Sequence, residues 1–360
     1  MKPNFKKPRQ RHTSLLVAFA LCWAATTARA EPHAAEGVVI VLTPAERSDF
    51  ATVKAFLLDG SHASDARLRT FVGMSQVFLD EDVLPAAQRV PVDTLAEQAR
   101  GSTDPMVLSL LIQMCGYDRL RPRPTCDPIA LARQWTVADT QNQLAWLTLA
   151  GTLRWSGEHE AGRAAFLRAA QASIWHESYD DGSRLIAAAA PKALGPRARM
   201  ALQYQALTAA AAWLVPMNAM SELSFRCKDA TLRDACLRIT DTIDRDGGTL
   251  VSQQLAVGLA SRSGLDAETV DRRSRALDAL EYAATQAGLK GWDEITDPAE
   301  LDVQARLFDR PIALGELAWL KEVLDTGGAE RLAAADRHHR ERAAARERAA
   351  ADELRRTANR

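Results

Sequence analysis

Between residues 44 and 324 apolar side chains return every three or four positions, the spacing that lines one face of an α-helix, and short Gly, Pro or Asp breaks divide the runs. The pattern predicts helices over 44–58, 65–79, 92–100, 105–115 and 128–135. Further helices are expected over 143–155, 158–172, 181–189, 196–214 and 231–245, and then over 249–263, 267–287, 298–308 and 312–324. At the first of these, Thr43, Pro44 and Glu46 supply a capping hydroxyl, a proline at the first helical position and a carboxylate three residues after the cap. Only the run 38–42 has the character of a strand or an extended lead-in. The expected fold class is therefore all-α. Many short helices with brief connections favour stacked antiparallel pairs in an α–α superhelix over one compact bundle.

One stretch sharpens the pattern. Trp146, Leu149, Ala150, Leu153, Gly157, Gly162, Phe166 and Ala169 stand at the spacing of W-x2-L-G-x2-Y followed by A-x3-F. Residues 143–176 thus resemble one tetratricopeptide (TPR) repeat, a helix–turn–helix unit. The likeness departs at Leu153, where the family favours tyrosine, at Gly162, where it favours alanine, and at Ile174, where it favours proline. The resemblance implies a repeat core of Trp146, Leu149, Ala150, Leu153, Phe166 and Ala169. In it Trp146, Leu149 and Leu153 line one face of the first helix, Ala150 admits the second helix closely, and Phe166 fills the groove between them. Other pairs, such as 105–135, share the outline without the motif, so a divergent TPR-like domain is expected over 44–328.

The two ends differ from this body. Residues 1–30 begin with Lys2, Lys6, Lys7, Arg9 and Arg11, continue into an apolar run over 15–25, and close on Ala28, Arg29 and Ala30. That order reads as a Sec-type signal peptide cut after Ala30, with 31–43 a flexible or extended lead-in. The run is shorter than the ~20 residues that span a bilayer. Leu21 before Cys22 is larger than a lipoprotein cleavage site prefers, so a soluble exported protein, periplasmic or secreted and not integral to the membrane, is expected. At the other end, residues 329–360 hold nine arginines and six acidic residues, with alanine as nearly the only apolar type. Such a segment has little with which to join a core and reads as a charged, solvated helix or a disordered tail.

Cysteine usage agrees with export. Beyond Cys22, Cys115 stands near Cys126 and Cys227 near Cys236, spacings too wide for a C-x2-C zinc site. In an oxidising compartment they read as two local disulfides, although four cysteines allow three pairings. The chain carries 45 basic and 46 acidic residues, and the signal region holds six of the basic ones, which leaves −7 on the mature chain. That balance argues against nucleic-acid binding.

Catalytic signatures are sparse. His159 and Glu160 open an H-E-x-x-H pattern that Arg163 breaks, and neither a G-x-S-x-G nor a phosphate loop is present. Glu177, Ser178 and Tyr179 are similar to the short catalytic motif of lytic transglycosylases, whose glutamate acts as acid and then base on a glycosidic bond in an apolar pocket. The Gly-Leu-Met-Gln segment that follows in that family has no counterpart here. The leading expectation is an exported scaffold that binds a protein or peptide in the cell envelope, with no catalytic, cofactor-binding or metal-ligating residue. The alternative is an envelope enzyme acting on glycan through Glu177. What separates them is whether Glu177 lies beside a second carboxylate in a deep pocket or in a shallow exposed loop.

Overall fold

A computed structural model describes residues 43–76, 86–98, 100–117, 126–212, 216–289 and 297–358. The expected export signal and the 38–42 run lie outside them, and the described residues from Pro44 onward belong to one compact unit. The described chain is almost wholly helical, and its one β-bridge pairs Asn142 with Ile174. The first helices are α1 (Pro44–Gly60), α2 (Ala66–Ser75), α3 (Val92–Gln98), α4 (Pro105–Tyr117), α5 (Pro128–Ala138), α6 (Gln143–Trp155), α7 (His159–Ala169) and α8 (Tyr179–Ala189). They continue as α9 (Pro196–Ala212), α10 (Met217–Arg226), α11 (Arg233–Asp246), α12 (Leu250–Arg262), α13 (Ala267–Gln286), α14 (Pro298–Leu314), α15 (Glu316–Thr326) and α16 (Gly328–Ala358). Short polar side chains set several of the starts. Asp65, Asp127, Asn142, Thr249 and Asp266 each accept a first-turn backbone N–H of the helix that follows them.

Neighbouring helices pack in sequence from α4 through α7 and again from α11 through α13, the arrangement of an α–α superhelix. A first core gathers Trp135, Leu147, Phe166, Leu223 and Ile239 from α5–α7, α10 and α11, with Trp175 from the segment after α7. A second core unites Phe71, Met74, Leu111, Ile186 and Leu202 from α2, α4, α8 and α9. α4 joins the two, because Leu108 and Ile112 face the first core while Met106, Leu110 and Leu111 face the second. Strict sequential stacking stops at α8. It turns back onto α2, and α9 packs against α1 and α2 on one side and α14 on the other.

Three sequence expectations need correction. A whole helix, α10, went unpredicted, because Asn218, Glu222 and Arg226 interrupt the apolar period although all three are buried. The helix expected to end at 308 runs through Pro311 to Leu314, and the break falls at Gly315, whose φ of 91° is left-handed. The arginine-rich tail is a polar helix, one of its two expected forms, but it is not solvated all round. As α16 it lies along α13, with His339 Nδ1 2.7 Å and Arg346 2.9 Å from the buried Asp278 carboxylate, and with Arg342 paired to Glu281. Ala335 reaches the third core, beside Leu320 and Leu324. Charge pairing supplies the contact that an apolar face would otherwise make.

Candidate functional site

The tetratricopeptide-like stretch forms a helix pair, α6 with α7. Leu149, Ala150, Leu153, Phe166 and Ala169 are all buried in the first core. Close approach occurs where Gly162 meets the Ala150 carbonyl, since a Cβ on Gly162 would stand 2.9 Å from that oxygen. Trp146 differs from expectation. It is only partly buried at the edge of this core, and its indole N–H donates to the Thr140 carbonyl at 2.9 Å. Its ring packs at the margin of the core that holds Phe166.

On its far face α6 meets α10 still more closely. A Cβ on Gly151 would collide with the Asn218 carbonyl oxygen. Beside this contact the fully buried Glu222 accepts from Arg154 at 2.5 Å and from Arg226 at 2.6 Å, and the Phe225 ring lies under both guanidinium groups. The cysteines pair locally. Cys227 and Cys236, with Cα atoms 5.7 Å apart, tie the end of α10 to α11, and Cys115 is joined to Cys126 at the same Cα separation.

The segment between α7 and α8, residues 170–178, contains Trp175, His176 and Glu177. Asn142 fixes it: the side-chain oxygen that caps α6 also accepts the His176 N–H at 3.2 Å, while Nδ2 donates to the His176 carbonyl at 3.1 Å. The Trp175 N–H donates to Asp246 at 3.2 Å, and the Trp175 ring is buried. Glu177 is buried as well. One carboxyl oxygen accepts from Trp175 Nε1 at 2.5 Å and the other from Thr249 Oγ1 at 2.9 Å.

Glu177 does not stand alone. Burial, and the charge of Asp180, raise it to about 7 against those two hydrogen bonds and the charge of His176. Glu316, at the start of α15, keeps some exposed surface, yet the burial of its carboxyl raises it to about 7 also. The Leu250 N–H opposes that rise, and the charges of Glu177 and Asp180 add to it. Asp180 is displaced upward, first by burial, while Arg184 and the Glu316 N–H oppose the rise. At the rim His176 lies 3.1 Å from Asp181, a bond that raises the imidazole and lowers the carboxyl.

Two hollows adjoin at His176. The first is a narrow cleft touched by Ser109, Trp135, Leu144, Ser178 and Pro216. The second, of about 140 Å³, is bordered by Trp175, Glu177, Tyr179, Asp181, Asp246 and Thr249. Among the described residues no group of His, Cys, Asp and Glu is placed to hold a metal ion. His159 opens α7, and its carbonyl accepts from Arg226 at 3.1 Å.

Sequence reasoning singled out Glu177 but missed its partners. Asn142 carried a signal, a capping residue directly before a predicted helix; Glu316 and Thr249, 139 and 72 positions away from Glu177, carried none. Compared with protein-family models, with curated proteins and with solved structures, the chain finds no match.

Proposed function

We propose that this protein is an exported tetratricopeptide-like scaffold that binds a protein or peptide partner in the cell envelope. The observation that carries the reading is the clamped 170–178 segment, which places His176 where two hollows meet on a body of paired helices. Two disulfides, and the absence of any described helix long and apolar enough to cross a membrane, support a periplasmic or secreted setting. A photo-crosslinking residue placed at His176 should capture a discrete partner in the native envelope. The same probe at Thr285 on α13 should not, and equal capture from both positions would remove the His176 hollows from consideration.

One observation favours a second reading, catalysis on glycan through Glu177. A buried carboxyl near neutrality with a second carboxyl nearby is the setting a general acid needs. Against it, both Glu177 oxygens are already engaged by donors inside the fold. Digestion of envelope glycan by the mature protein, lost on Glu177→Gln, would put the enzyme ahead of the scaffold.

A further inference from the structure

The starts of α8, α12 and α15 converge on three carboxyl groups with little positive charge among them. Thr249 Oγ1 holds Glu177 at 2.9 Å, and one residue along the chain the Leu250 N–H holds Glu316 at 3.1 Å. The Glu316 backbone amide favours the ionised Asp180 carboxyl, and the Leu317 N–H reaches the Gly248 carbonyl at 3.4 Å. Gly315 permits this approach, since a side chain at its left-handed position would strike the Asp180 carboxylate. Arg184 stands 3.9 Å from Asp180 with its side chain half exposed, and among the described residues no cation pairs with Glu177 or Glu316. The remaining charges facing the junction are matched to one another: His176 with Asp181, and Arg245 with Asp246 at 2.6 Å. The first turn of α12 brings only the uncharged Thr249, Ser252 and Gln253.

Carboxyls gathered out of water with only the half-exposed Arg184 at their edge ionise less readily than in solution, so they keep protons to higher pH. We propose that this junction is a proton-operated clasp, shut while Glu177, Asp180 and Glu316 hold a proton among them and loosened when that proton leaves, which frees the 170–178 segment from α12 and α15. The clasp stands on the burial of neighbouring carboxyls with no cation among the described residues paired to Glu177 or Glu316; the hydrogen bonds donated to them favour the ionised form and oppose opening, and the clasp is independent of what the hollows bind. Its pH window follows from sign. Both glutamates titrate higher in the folded chain than in the unfolded one, so their contribution to stability is greatest in acid. It falls as pH rises from the ordinary carboxylate value, and levels off above about 7. His176, also raised, acts in the same direction through Asp181, whereas the lowered Asp181 and Asp246 lose their contribution only toward acid.

The test is amide hydrogen exchange of the mature protein between about pH 5 and about pH 8.5, corrected for intrinsic rates. Protection over 174–180, 248–252 and 314–318 should fall together as pH rises, by about tenfold for each unit of upward displacement lost, while α6 stays protected. The double variant Glu177→Gln with Glu316→Gln should remove most of this dependence, leaving the smaller part carried by Asp180 and by His176 with Asp181, and His176→Gln should retain the greater part. If the double variant does not fold, Glu316→Gln alone serves, with the dependence expected to shrink by at least half. Protection that is flat with pH in the native chain, or equally pH-dependent in the glutamine variants, would overturn the clasp.

Discussion

Glu222 is as hidden as any leucine in the core, and only the two arginines beside it make that tolerable. An ion removed from water costs several kcal/mol unless its partners replace the lost hydration. Replacing Glu222 with alanine leaves Arg154 and Arg226 facing a buried gap, and should lower stability by about 3–5 kcal/mol in denaturant titration. Gly151→Ala should fail for a different reason, since the added methyl has no room before the Asn218 backbone. Its expected cost is about 1–3 kcal/mol, measured in the same way. Neither effect was legible in the sequence. Buried charge looks like surface charge until the partner, 68 positions from Arg154 in the chain, is known, and a helical glycine looks like a weak point and not a contact. Asn142 was half legible: its capping position could be read, but not its second task of holding His176.

At the scale of elements, the α6–α7 pair separates a buried aromatic from a peripheral one. Phe166→Ala should cost about 3–5 kcal/mol, and Trp146→Ala distinctly less, because the indole already lies at the edge of the core. Chemical denaturation of both variants gives the comparison, and equal losses would mean that Trp146 carries more packing than its exposure indicates. The α13–α16 contact makes a different demand. Truncation after Gly328 strips Asp278 of His339 and Arg346, so the melting temperature should fall, at roughly 2–4 °C for each kcal/mol removed. Burial pushes the Asp278 carboxyl up, yet the hydrogen bonds from Arg346 and His339, with the charges of Arg346 and Arg342, outweigh it and hold it below its usual range. That contribution is present above the ordinary aspartate value and is lost as pH falls through the lowered one. An unchanged melt on truncation would show that the tail rests on α13 without supporting it. The helices themselves were readable because periodicity is local. α10 was missed, and the docking of the helical tail α16 went unread, because their burial depends on charge pairs that no periodicity reports.

For the whole molecule, the all-α superhelical class followed from the repeated short helices, whereas the site did not. Glu177 was visible as a residue, but the environment that shifts it comes from α12 and α15, and only the folded chain brings them to it. The return of α9 is a further tertiary fact without a local signal. In an open solenoid each unit touches only its neighbours, so the ends fray first and melting spreads inward. Here α9 is gripped both by the first helices of the body and by α14. A break at either end must therefore pull on the middle, so thermal unfolding should be one sharp transition whose calorimetric and van't Hoff enthalpies agree. If two separate transitions are seen, α9 is a bystander; if one is seen, this helix serves as the keystone of a closed arch, and severing the chain within it should collapse both flanks at once.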